Sequence, residues 1–265
     1  MNEWNKYWAI AWISAKSNLA YAGEVGSRLF FLSVILYIFM RLWQVTFHNA
    51  SAAHLGGYSL PEMIWYLALT ESILMSGPRL VPLIDEDVRT GAIAVQLVRP
   101  LSYPLYRLAS HLGEASVRFF ITTLAATLIA SLLVGVPANL GQGAPLVVLA
   151  LPLAFVLDFC IYLLVGLSAF WFEDTYGLML IVSRLTMILG GMMLPLELFP
   201  AAIQPVLKSL PFGYKVCGPA RLLVHPDWMN LAGLLVGQVL WIAVIGSAAA
   251  FVYSRGLKRI SLNGG

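Results

Sequence analysis

Hydrophobic positions in this chain gather in long runs rather than at alternate residues. Six runs meet or approach the length of a bilayer crossing: Leu29–Phe47, Pro61–Leu80, Val117–Val136, Pro145–Phe172, Leu178–Leu194 and Leu231–Tyr253. A hydrocarbon core of about 30 Å takes roughly 20 helical residues at about 1.5 Å each. Barrel strands would instead alternate apolar and polar residues over about ten positions, and none of these runs does. The pattern predicts an all-α integral membrane protein with six transmembrane helices. The connecting segments are too short to fold alone, so residues 1–265 form a single transmembrane domain. Leu178–Leu194 is the weakest span, being short and carrying Arg184.

Three segments outside the spans carry patterns of their own. In residues 1–26, Trp4, Tyr7, Trp8, Ala11, Trp12, Ala15 and Leu19 recur at helical spacing. This suits a helix lying in the membrane interface or one packed on the protein's own surface. The tryptophans favour the interface, where indole N–H groups stay wet. In residues 83–104, Leu83–Gly91 reads as a short helix with an acidic first turn and a glycine stop. The apolar run Ala92–Val98 that follows is too short to span and is ended by Pro100. An apolar patch held between charged flanks needs a partner surface. In residues 195–229, the prolines from Pro195 to Pro226 cut the chain into apolar pieces too short to cross. Re-entrant or interfacial helices with protein-covered ends fit that pattern.

Charge gives the orientation. Lys6, Lys16 and Arg28 precede the first span; Arg79, Arg89, Arg99, Arg107 and Arg118 lie between the second and third; Arg255, Lys258 and Arg259 follow the last. The opposite loops, His48–Leu60 and Pro137–Ala144, hold no Lys or Arg. Both termini are therefore expected in the cytoplasm. Lys208, Lys215 and Arg221 fall on the opposite side, where their stems could snorkel to headgroups. Composition agrees with the class: 60% hydrophobic and 11% charged residues, with a mean hydropathy of +0.82, leave too little charge for a soluble domain's surface. No secretory signal pattern is recognisable at the N-terminus.

Catalytic signatures are lacking. There is no Walker A, H-E-x-x-H or Gly-x-Ser-x-Gly pattern. Cys160 and Cys217 have no His or Cys at metal-ligand spacing, and their separation argues against a mutual disulfide. No cofactor, metal or nucleic-acid partner is expected. Four charges lie within spans: Arg41, Glu71, Asp158 and Arg184. At about 1.5 Å per residue, Arg41 and Glu71 fall at similar depth, and Asp158 and Arg184 share a level about 10–12 Å from the cytoplasmic side. Two structural ion pairs are predicted on that basis, because an unpaired charge there is costly. A gradient-driven secondary transporter would use the same charges, but the two halves show no convincing internal repeat.

The order of these segments resembles the permease subunit of type-2 ATP-binding-cassette exporters. The best-matching pieces are Asp87-Val88-Arg89-Thr90-Gly91, then Leu97-Val98-Arg99-Pro100-Leu101-Ser102-Tyr103-Pro104, and Leu194-Pro195-Leu196-Glu197-Leu198-Phe199-Pro200 after the fifth span. The resemblance implies a coupling helix after the second span that seats on a cytoplasmic ATPase of a separate chain. Asp85, Glu86, Asp87 and Arg89 would form the docking surface, with Val95 and Leu97 as apolar contacts and Gly91 allowing the turn. It also implies a second permease subunit, the same or related, meeting this one through the first and fifth spans. The expected setting is the bacterial plasma (inner) membrane, and the cargo an amphiphile such as a lipid, glycan or drug.

Overall fold

A computed structural model of the chain describes residues 3–18, 22–98 and 101–263. Leu19, Arg99 and Pro100 lie outside the described residues, as do the side chains of Trp4 and Leu97. The described fold is helical: α1 (Glu3–Asn18), α2 (Ala22–Ala50), α3 (Leu60–Ser76), α4 (Leu80–Arg89), α5 (Ala92–Leu97), α6 (Tyr103–Val134), α7 (Leu140–Leu167), α8 (Tyr176–Leu189), α9 (Gln204–Ser209), α10 (Pro211–Lys215), α11 (Cys217–Val224) and α12 (Trp228–Asn263).

Five stretches are long and apolar enough to cross a membrane: Val25–Ala50, Leu60–Arg89, Tyr103–Val134, Leu140–Phe170 and Trp228–Arg259. The sixth expected span is the 14-residue helix α8. At about 1.5 Å per residue it reaches only about 21 Å, because Gly190 and Gly191, the latter with φ +69°, end it early.

Helix α3 is the axis of the bundle. It begins where the Glu62 carboxylate accepts the Ser59 backbone N–H at 2.8 Å, which satisfies an N-terminal donor. From Met63 to Ile73 every residue is buried, as expected of a helix apolar on all faces. Trp65 Nε1–H donates to the Gly135 carbonyl at 2.8 Å at one end of the neighbouring α6. Gly77 and Pro78 break the helix, since Pro lacks the N–H the next turn needs. It resumes as α4, with Pro82 in its first turn. Expected to end at Leu80, the second span therefore continues through α4. Leu80 and Ile84 join Ile93 of α5 against Phe159, Leu163 and Leu167 of α7.

Earlier initiation also moves Asp85, Glu86 and Asp87 out of the first turn, where the sequence pattern placed them. Gly91 turns the chain directly from α4 into α5 with φ +73°, a left-handed conformation in which only glycine avoids Cβ strain.

The segment after α8 folds back into the bundle. The Tyr66 hydroxyl donates to the Gly191 carbonyl and Thr70 Oγ1 to the Met192 carbonyl at 3.0 Å. These bonds satisfy non-helical backbone, which a membrane interior tolerates only inside protein. Gln238 of α12 donates to the Tyr214 carbonyl of α10 at 3.0 Å. Gln238 lies about 15 Å along α12 from Trp228, so α10 sits well inside the bundle rather than at its end.

Helix α1 packs on the first half of α6, with the hydroxyls of Ser14 and Ser110 2.9 Å apart. Trp8, Trp12 and Ile13 remain exposed, so the helix covers its own protein on one face and keeps an apolar face free. A Cβ at Gly113 would stand 2.1 Å from the Ala11 carbonyl oxygen. Gly113→Val is accordingly expected to lift α1 off α6 at a cost of about 1–3 kcal/mol. Trp8 and Trp12 fluorescence shifts, with faster proteolysis of residues 3–18, would register it.

Candidate functional site

Three charged arrangements stand out. At the centre, Asp158 of α7 is 3% exposed and faces two cationic or potentially cationic side chains. Lys215 of α10, equally buried, pairs with Oδ1, and His111 Nε2 of α6 lies 3.2 Å from Oδ2. The Lys215 ammonium also stands over the Tyr162 ring, 5.1 Å from its centroid. A charge so enclosed requires such neighbours, because removing an ion from water costs several kcal/mol.

This replaces the predicted pairing of Asp158 with Arg184. The Arg184 guanidinium instead contacts Met187 Sδ at 3.7 Å and is exposed. Nor does Arg41 meet Glu71: Arg41 bonds Tyr37 Oη and Gln44 Oε1 on its own exposed helical face at 3.2 and 3.3 Å. Arg41 is exposed on α2, while Glu71 on α3 is buried beside Ile35 and Phe39 of that helix. Lys215, expected to snorkel outward, points inward because α10 dips between α7 and α12.

Around this group opens a cavity of about 530 Å³ between α2, α3, α7, α8 and α10, with Phe39, Glu71, Asp158, Tyr162, Arg184 and Lys215 in its wall. The sequence-selected charges Glu71, Asp158 and Arg184 therefore share one cavity without pairing among themselves.

The second arrangement is the α4–α5 elbow. Asp87 is buried and accepts from Arg107, from Tyr103 Oη at 2.7 Å and from Gln96 at 3.3 Å. It fastens the elbow to α6 instead of presenting a docking carboxylate, which corrects the sequence reading. Asp85 is half-buried, held by Arg89 at 3.5 Å and by Thr175 Oγ1–H at 3.1 Å. Glu86 and Arg89 are exposed. So are Leu83 (39%), Val95 (65%) and Val98 (87%), which make the outer face apolar.

The third lies at the other end of the bundle. Glu197 receives Arg221 at 3.2 Å and Lys208 at 3.7 Å. The Tyr58 hydroxyl donates to Glu197 Oε2 at 3.2 Å, and burial, with the adjacent carboxylate, pushes its pKa well above the usual phenol value.

Sequence reasoning missed His111, Tyr103 and Arg107 as partners. Lys215 had left a signal, as a basic residue on the side that basic residues avoid. Cys160 and Cys217 are free, buried thiols. Among the described residues no three His, Cys, Asp or Glu side chains converge as a metal site. The family model described as ABC-2 family transporter protein matches residues 31–264. No curated protein matches the chain.

Proposed function

Since the chain belongs to the ABC-2 transporter family, whose membrane subunits transport rather than catalyse and associate with ABC ATPases, we propose that it is the permease of an ATP-driven exporter. It would pair with a second permease in a bacterial plasma membrane, with both termini and the α4–α5 elbow in the cytoplasm. ATP hydrolysis on separate chains would drive an amphiphile along the route the permeases enclose.

The observation that carries this reading is the elbow's outer face. Leu83, Val95 and Val98 stand exposed, as do Glu86 and Arg89, on an elbow whose Ile84, Ile93 and Asp87 are buried. Apolar contact supplies affinity and the flanking charges orient an encounter. A rigidly backed protrusion can also transmit force where a flexible loop would absorb it.

Val95→Asp and Val98→Asp are expected to reduce co-purification of the ATPase at least about tenfold, the scale of a lost interface anchor. Export in vesicles should stop while membrane insertion is unchanged. Glu86→Lys should weaken association less, and Trp228→Ala, at the opposite end, not at all. Undiminished association in both valine variants overturns the elbow as docking surface. A gradient-driven reading would rest on the Asp158 group instead, and transport that follows a proton gradient without ATP would establish it.

A further inference from the structure

Glu71 is a mid-helix carboxyl on α3, only 4% exposed. Among the described residues it makes no hydrogen bond and no ion pair. The other buried charges in the cavity wall have ionic partners: Asp158 has Lys215 and His111 beside it, and Lys215 has Asp158. The remaining guanidiniums, Arg79 and Arg184, are exposed. Five methionines share the wall with Glu71: Met75, one turn along α3, and Met179, Met187, Met192 and Met193 from other segments.

A volume near 530 Å³ falls in the range of about 300–1,000 Å³ usual for small-molecule sites. Methionine walls adapt to apolar bodies of varied shape. A buried carboxyl without a partner has a strong appetite for a donor, since burial without one is costly, and a cationic N–H forms the stronger, charge-assisted kind of bond. From this juxtaposition we infer that the cavity binds an amphiphilic organic cation, its amine against Glu71 and its apolar body along the methionines. This deepens the exporter reading by naming the chemical class of its cargo, and it rests on that reading only for the word cargo.

Binding is measured on the full chain in nanodiscs with no ATPase present, subtracting lipid-only discs. The probes are rhodamine 6G, a lipophilic cation; Nile red, which is uncharged; and 8-anilinonaphthalene-1-sulfonate, an anion. Wild type is expected to bind rhodamine 6G saturably, and Glu71→Gln to weaken it about tenfold, the scale of one lost charge-assisted contact. Nile red should bind both alike, and Glu71→Asp should retain most of the cation affinity. The unfolding temperature of Glu71→Gln should equal or exceed wild type, because the substitution removes a partnerless buried acid; a structural role would lower it. Equal cation affinity in wild type and Glu71→Gln, absence of saturable binding, or preference for the anion overturns the inference. Because no ATPase is present, each of those results leaves the exporter reading standing. Conversely, failure of the elbow variants to lose the ATPase leaves this site untouched.

Discussion

Replacing Lys215 by methionine is expected to cost about 3–5 kcal/mol of stability and to cut the yield of folded protein severely. Methionine matches the lysine stem in length, so packing between α7 and α12 is largely kept and the loss isolates the charge. Asp158 would stay in the bundle with only His111 beside it, at 3.2 Å. The double variant Lys215→Met with Asp158→Leu removes both ions and should recover much of the loss, since a buried pair exchanged for apolar residues is often neutral or better. Thermal unfolding in detergent, read for both single variants and the double, measures the coupling directly. Additive losses would mean that the pair does not hold α10 in place.

Asp87→Ala should be nearly as damaging, at about 3–5 kcal/mol, and in a different place. It strips Arg107, itself 9% exposed, of its carboxylate and leaves the Tyr103 hydroxyl without that acceptor. The α4–α5 elbow should loosen from α6, becoming sensitive to limited proteolysis near Gly91. ATPase association should fall as well, although Asp87 does not reach the elbow's outer face. Glu86→Lys provides the contrast, altering association while proteolysis stays at the wild-type rate. If Asp87→Ala left proteolysis unchanged and weakened only the ATPase contact, Asp87 would be part of the docking surface after all.

What the sequence could reveal divides along a physical line. Run length and breakers are local properties, so five of the spans, the Gly91 turn and the chopped segment after α8 were legible from residue order alone. Side-chain partners depend on helix rotation and on how far a re-entrant piece descends, and neither is local. Arg41 stays exposed on α2, bonded to Tyr37 and Gln44 of its own helix, while Glu71 is buried on α3. Asp158 found Lys215 because α10 drops inside the bundle, which the proline spacing allows but does not specify. The acidic run Asp85–Asp87 looked uniform as text. Helical geometry at about 100° per residue separates it into a half-buried Asp85, an exposed Glu86 and a buried Asp87.

Helix α6 carries both Arg107, which grips Asp87 in the elbow, and His111, which touches Asp158 beside the cavity. Residues four apart on a helix stand about 6 Å from one another on the same face. Elbow and cavity are thus fastened to consecutive rungs of one ladder, and that ladder, at 32 residues, is about 48 Å long. A tilt imposed at the elbow would displace both rungs together, since no helix break separates them. If the elbow docks an ATPase and the cavity takes a ligand, as proposed, a ligand that shifts Asp158 would lean on the helix that holds the elbow, so that occupancy and docking would be linked through a single turn of backbone.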